Sequence, residues 1–308
     1  MQFLAARRLA ARQAHRVDWT LFTRRWRQGA TMSDTVLDRP AHDIVDDDTI
    51  ERFRADGVVA LRNVVDGEWV ERLRGGVADE MANPSPTAHN YESTGFFGSL
   101  DLWRFHPLFE EFVTQSRLGE LAAAMFGSPI VRMYYDQLFV KDPGSSQPVP
   151  WHNDQPYWPI SGRQVMSFWI ALDTVDATNG RVEYVRGSHA WDRWFQPRTF
   201  APTNAHDYER NPDYELVPDI EANRDSYDII SFDLEPGDAV AFWAMILHGS
   251  QGNADQGRAR RGYAVRYIGT DVRYDPRIGT AQALHVDGLA AGSVMELDRY
   301  PVVWPRSA

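Results

Sequence analysis

The 308-residue sequence contains no cysteine. That absence excludes a disulfide framework, a thiolate zinc site, an iron–sulfur cluster and a thiol nucleophile, so any metal must be held by histidine and carboxylate. Lysine is almost missing: Lys141 stands alone beside 31 arginines. There is no run of 18 apolar residues, so no membrane-spanning helix is predicted and a cytoplasmic location is expected. An excess of positive charge is lacking as well. The net charge of −11 gives no global attraction for nucleic acid or anionic lipid, and a small-molecule partner is expected. What is present is 43% hydrophobic and 24% charged residues, a composition that builds a packed core and excludes intrinsic disorder.

The charge is unevenly spread. Residues 1–31 hold seven arginines (Arg7, Arg8, Arg12, Arg16, Arg24, Arg25 and Arg27) and one acid, Asp18. This basic leader nets +6, so the remaining body carries −17. An arginine-rich, acid-poor leader has the look of a transit peptide. The alternative, preferred here, is an over-long gene start, with the true beginning at Met32. The preference for arginine over lysine points to a GC-rich genome and so to a bacterial source. Residues 32–308 are expected to form a single domain.

Hydrophobic periodicity and turn residues divide the body into helices first and strands later. Helix is expected within 47–81, with Asp48 as N-cap before Thr49 and a second helix over Gly67–Met81. The run Val58-Val59-Ala60-Leu61 between them reads as a short buried strand. Residues 82–99 read as a loop and 107–126 as helix. Short β-rich runs follow at 129–141, 164–173, 181–185, 238–248 and 260–268, punctuated by turns such as Asp142-Pro143-Gly144. This order predicts an α+β, mainly β fold built on an antiparallel barrel or jelly roll. Residues 196–232, with eight acids, form a long polar connection suited to a lid.

Chemistry concentrates in Trp151-His152-Asn153-Asp154-Gln155-Pro156-Tyr157-Trp158. In a strand, His152 and Asp154 would project to one side. An imidazole and a carboxylate on one face make two thirds of a facial metal triad. The third ligand must come from another strand, and His248 closes the apolar run that starts at Ala239. Two histidines, one carboxylate and open positions describe a non-haem Fe(II) oxygenase centre. A lone His-x-Asp is common by chance, and a buried histidine is often only a core residue.

The sequence after His248 adds a possible anion site. Ser250 shares parity with His248, and Arg260, Gly262, Ala264 and Arg266 share one face of a strand. An inward Arg260 beside small residues would offer a guanidinium fork and room for a small dicarboxylate. Ordinary solvated charge is the alternative for most of Arg258, Arg260, Arg261 and Arg266.

Together these segments resemble the phytanoyl-CoA dioxygenase family of Fe(II)/2-oxoglutarate oxygenases. The matching pieces are Asp136-Gln137-Leu138 with Lys141, the segment Trp151–Trp158, Phe168-Trp169-Ile170-Ala171-Leu172, Asn179-Gly180, Arg186-Gly187-Ser188-His189, Glu235-Pro236-Gly237-Asp238, and His248-Gly249-Ser250 followed by Asn253 and Arg260-Arg261. They span about residues 130–268 in the family's order. The resemblance implies a double-stranded β-helix (jelly roll, cupin-like) with N-terminal and flanking helices. It implies Fe(II) held by His152, Asp154 and His248, with 2-oxoglutarate and O2 as cosubstrates. The far carboxylate of 2-oxoglutarate would pair with Arg260, with Arg266 and Arg258 as fallbacks, and with Ser250. Gln137 and Trp169 would line the cosubstrate, plain core packing being the alternative for Trp169. Lys141 falls at a position facing the same region.

Asp154 occupies the position where halogenases of the family carry Ala or Gly, so hydroxylation is the expected outcome. With both ligand imidazoles required neutral and Asp154 ionised, activity is expected to fall at acid pH. The acidic body argues against an acyl-CoA substrate, although Arg104, Arg186, Arg193 and Arg198 could form a local basic patch. An apolar or amine-bearing small metabolite is expected, walled by residues 84–104 with His89, Tyr91, Phe96, Phe97, Trp103 and Arg104. Two other classes stay open at this stage: a cupin-like metal enzyme without 2-oxoglutarate, and a catalytically silent jelly roll that binds or senses a ligand.

Overall fold

The computed structural model describes residues 43–200 and 208–306. The basic leader at 1–31 and the proposed start at Met32 lie outside the described residues. Among the described residues four α-helices precede or flank the strands: α1 (Asp47–Asp56), α2 (Gly67–Ala82), α3 (Pro107–Gln115) and α4 (Leu118–Phe126). The strands in chain order are β1 (Val58–Leu61), β2 (Ala88–Tyr91), β3 (Phe96–Leu100), β4 (Val131–Lys141), β5 (Val149–His152), β6 (Ile160–Ser161) and β7 (Val165–Ala171). They continue with β8 (Val182–Val185), β9 (Ile229–Ser231), β10 (Ala239–Trp243), β11 (His248–Ser250), β12 (Arg260–Ile268), β13 (Arg273–Tyr274) and β14 (Val302–Trp304).

The helix ends follow capping chemistry. Asp46, not Asp48, caps α1: its extended backbone lets the carboxylate accept from Thr49 N at 2.8 Å, which leaves Asp47 and Asp48 in the acid-favouring first turn. Gly57 ends α1 at φ 84°, and its N–H donates to Phe53 O at 3.0 Å. Asp66 caps α2 in the same way through Trp69 N. The stretch 107–126 is two helices rather than one, because Ser116 is extended between α3 and α4.

The strands form two facing antiparallel sheets. The larger runs β1-β10-β7-β12-β4-β3-β2, with β14 also on β4; the smaller runs β5-β11-β8-β9, and β6 pairs separately with β13. This is the jelly roll expected from the sequence. Strand alternation divides the larger sheet's side chains between two cores. Leu138, Val140, Phe168, Ile170, Tyr263, Val265 and Tyr267 face the helices, packing with Phe53, Leu73, Phe109 and Phe112. Trp169, Ala171, Val240, Phe242 and Ala264 face inward, where they meet Tyr184 of the smaller sheet.

Two sequence expectations fail here. Residues 82–99 are not a simple loop: β2 and β3 form a hairpin that extends the larger sheet at the edge. The run 238–248 is not one strand. β10 belongs to the larger sheet and β11 to the smaller, and the chain crosses between them through Ala244–Leu247. Those crossing residues include buried Ala244, Ile246 and Leu247, so the apolar run conceals the corner. In the long connection 196–232 the structure places a 3-10 segment at Glu221–Ser226 and strand β9, while 201–207 lie outside the described residues. Among the described residues no helix is long and apolar enough to cross a membrane.

Candidate metal centre and anion pocket

β5 and β11 are neighbours in the smaller sheet, and their register sets His152 directly opposite His248. The two imidazole centroids are 4.2 Å apart. Asp154 reaches them differently from expectation. β5 stops at His152, and Asp154 has α-type backbone angles just before the 3-10 turn Gln155–Tyr157. The corner residue Ala244 fixes that turn, its carbonyl accepting from Asp154 N at 2.8 Å and Gln155 N at 3.1 Å. Asp154 Oδ1 then lies 3.4 Å from His152 Nε2 and 3.8 Å from His248 Nε2. One ligand atom from each of the three falls within 4.8 Å of the others, a spacing that can hold a metal ion.

The outer hydrogen bonds set the imidazoles up as ligands. His152 Nδ1 lies 2.8 Å from Pro150 O, and His248 Nδ1 lies 3.1 Å from Ile246 O. A carbonyl only accepts, so Nδ1 carries the proton in both rings and each Nε2 presents its lone pair to the centre. Burial and the neighbouring His152 push His248 down to about 3, so that ring is neutral near neutral pH. Burial raises Asp154, but the two neighbouring imidazoles and the charge of Arg266 outweigh it and hold the carboxyl below its usual range. Ser167 Oγ adds a contact to Asp154 Oδ2 at 3.4 Å.

A cavity opens beside the three, lined by Gln137, Trp169, Ser250 and Arg260, with Phe139, Tyr184, Phe200 and Phe242 as aromatic walls. Gln137, Trp169, Ser250 and Arg260 are thus brought together as expected. Arg260 is 2% exposed, and its Nε has no hydrogen-bond partner. Across the strand pair it faces Lys141, which is fully buried and donates to Ser250 Oγ at 2.9 Å and to Gln251 O. Burial, reinforced by Arg260, holds Lys141 well below its ordinary range, and burial lowers Arg260 to about 10. Among the described residues neither cation has a carboxylate within ion-pair distance. Two dry cations beside a hydroxyl therefore await an anion.

The space expected beside Arg260 is already filled. A Cβ on Gly262 would sit 1.9 Å from Trp169 Cζ2, so glycine makes room for the indole and not for a ligand. Trp169 in turn carries Arg260 5.1 Å from its ring centroid. It packs in the core and lines the cavity at once. The fallback Arg258 is an exposed surface residue, ion-paired to Asp255 at 2.6 Å and Asp176 at 2.8 Å. Arg266 is buried and donates to Gln137 Oε1 at 3.2 Å. In the anticipated wall, Phe96 stacks on Tyr91 and meets Phe139 at a tilt, whereas Phe97 and Trp103 point into the helix-side core. Sequence reasoning missed Phe200, whose ring lies 4.7 Å from His152, as well as Tyr184 and Phe242. Strand parity with Trp169 across β7 and β10 was the available signal for Phe242.

Fold and centre define a jelly-roll protein with a His-Asp-His site. The phytanoyl-CoA dioxygenase (PhyH) family profile matches residues 53–262, and the chain belongs to that family. It is 24% identical to the peroxisomal phytanoyl-CoA dioxygenase of Rattus norvegicus over 251 residues, which is 75% of this chain and 70% of that protein. Its fold is similar to the non-heme α-ketoglutarate-dependent carbocyclase SnoK from nogalamycin biosynthesis, with a TM-score of 0.67, 19% identity, and coverage of 89% of this chain and 99% of that one. The epimerase SnoN, solved with Fe3+, α-ketoglutarate and nogalamycin RO, aligns with a TM-score of 0.64 at 19% identity over 82% of this chain and 96% of that one.

Proposed function

We propose that this chain is an Fe(II)/2-oxoglutarate-dependent dioxygenase that hydroxylates an unactivated C–H bond of a small metabolite. The observation that carries the reading is the three converging ligand atoms of His152, Asp154 and His248, with both imidazoles tied through Nδ1 to backbone carbonyls. Neutral nitrogens and one carboxylate, with the remaining directions open to a cavity, fit Fe(II). The unpaired cations Arg260 and Lys141 beside Ser250 fit the distal carboxylate of 2-oxoglutarate.

Bound iron, 2-oxoglutarate and O2 would supply the oxidising chemistry, releasing succinate and CO2 as an oxygen atom enters the substrate. The chain's own work is to bind, orient and exclude water. Ala244 O holds the turn that aims Asp154. Arg260 and Ser250 would hold the far carboxylate of the cosubstrate, while Trp169, Tyr184 and Phe242 would keep that end dry. Phe200 stands against His152 at the opposite wall.

Asp154 fills the place a halide would need, which supports hydroxylation over halogenation. SnoK and SnoN bear other outcome names, carbocyclase and epimerase, on the same fold. Three of the four arginines that might have gripped a CoA phosphate are paired: Arg104 with Asp101, Arg186 with Asp228, and Arg193 with Glu215. That supports a free small molecule over an acyl-CoA, in a cytoplasmic, bacterial secondary-metabolic role. O2-dependent succinate release from 2-oxoglutarate tests the reading. Succinate formed by the wild type and abolished in D154N supports it; equal release by D154N refutes it.

A further inference from the structure

Arg266 is a buried cation that the proposed cosubstrate site does not use. It lies on the same inward face of β12 as Arg260, six residues and about 20 Å further along the strand. It therefore serves the opposite end of the interior. Its register partners are Ser167, which contacts Asp154, and Tyr135. Its charge bears on both Asp154 and His248.

Arg266 is 3% exposed and its guanidinium is poorly satisfied. Its carbon sits 4.5 Å from the Tyr135 ring centroid and 5.8 Å from that of Trp158, so the rings take its flat face and leave its N–H edge. Along that edge, Nη2 donates to Gln137 Oε1 at 3.2 Å and Nη1 makes a long contact to Ala264 O at 3.4 Å. Nε has no partner. Among the described residues no carboxylate forms an ion pair with it. Gln137 has given its oxygen to Arg266, so its amide N–H pair is also left for a ligand, and Gln137 lines the catalytic cavity.

Charge balance says what that ligand is. A divalent ion on Asp154 and two neutral imidazoles leaves one positive charge. A dianionic cosubstrate offsets that charge and Arg260's together. Lys141 is already held by Ser250 Oγ and Gln251 O at the cosubstrate end, whereas Arg266 Nε has no partner. Arg266 then remains as a buried charge without a counter-ion, which is costly. Resting on the oxygenase reading above, we propose that Arg266, with the Gln137 amide beside it, anchors a carboxylate of the primary substrate. Fork-shaped in-plane donors match a planar carboxylate. The substrate class is a small organic acid, not the amine expected from the overall charge of the body.

The test uses anaerobic Fe(II) protein saturated with 2-oxoglutarate, so that Arg260 is already filled. The probes are 3-phenylpropionate, its neutral amide and the corresponding amine, read by the shift of the visible charge-transfer band and by the thermal midpoint. The acid is expected to shift both at millimolar concentration, and the amide and amine to shift neither. R266Q should weaken the acid by about tenfold or more, and by more than it weakens 2-oxoglutarate. Should R266Q not fold, R266K keeps the charge, loses the fork and must show the same weakening. Equal shifts by acid and amide, no shift by the acid, or undiminished acid affinity in the Arg266 variant overturns the proposal. An absent 2-oxoglutarate band in the wild type defeats the oxygenase reading and this inference with it; an intact band without an acid-specific shift defeats this inference alone.

Discussion

Lys141 and Arg260 face each other across β4 and β12, two buried cations with no acid between them. Their cost in the free protein is recovered when an anion arrives. K141M removes one of them and keeps most of the volume. It should change stability without ligand by less than about 1 kcal/mol, since a buried charge is lost along with two hydrogen bonds. Affinity for 2-oxoglutarate should drop about tenfold. Urea unfolding and titration of the iron-loaded protein check the two halves separately.

Gly262 is a steric requirement of the site. The three heavy atoms nearest a Cβ there all belong to the Trp169 indole, which supports Arg260. G262A should cost about 1–3 kcal/mol by overpacking. It should also weaken 2-oxoglutarate binding. Thermal unfolding and tryptophan fluorescence report the first effect, and ligand titration the second. A variant as stable and as tight-binding as the wild type would show that the indole does not shape the pocket.

Asp136 makes a pH-dependent contribution far from solvent. It is fully buried, it accepts from Trp103 N at 3.0 Å and from the Tyr263 hydroxyl, and its Oδ1 has no partner. Burial pushes its carboxyl up from 3.8 to about 7. Between those values the folded chain holds a proton that the unfolded chain has released, so stability falls as pH rises from about 4 to about 7 and is then level. The loss attributable to this group is at most about 4 kcal/mol. D136N should flatten that slope, measured as the difference in urea midpoint between pH 5 and pH 8. An unchanged slope would assign the pH dependence to other groups.

The parity of β12 was legible because Tyr263, Val265 and Tyr267 alternate with Arg260, Gly262, Ala264 and Arg266, and the structure keeps that division. The triad was legible as residue types but not as geometry. Asp154 arrives through a turn held by Ala244, a contact between segments ninety residues apart that no local pattern encodes. The β10–β11 corner was hidden because its residues are as apolar as a strand. The β2–β3 hairpin was hidden for the opposite reason: β2 is polar and half-exposed at a sheet edge, so it reads as loop. The dryness of Lys141 and Arg266 could not be read at all, since sequence gives the charge but not its burial.

The central claim is that His152, Asp154 and His248 hold Fe(II) in a form that 2-oxoglutarate can chelate. The most direct measurement is the visible spectrum of anaerobic protein loaded with Fe(II), recorded before and after 2-oxoglutarate. The account predicts a weak charge-transfer band that appears on addition and is absent in H248A. No band in the wild type, or an undiminished band in H248A, would contradict it.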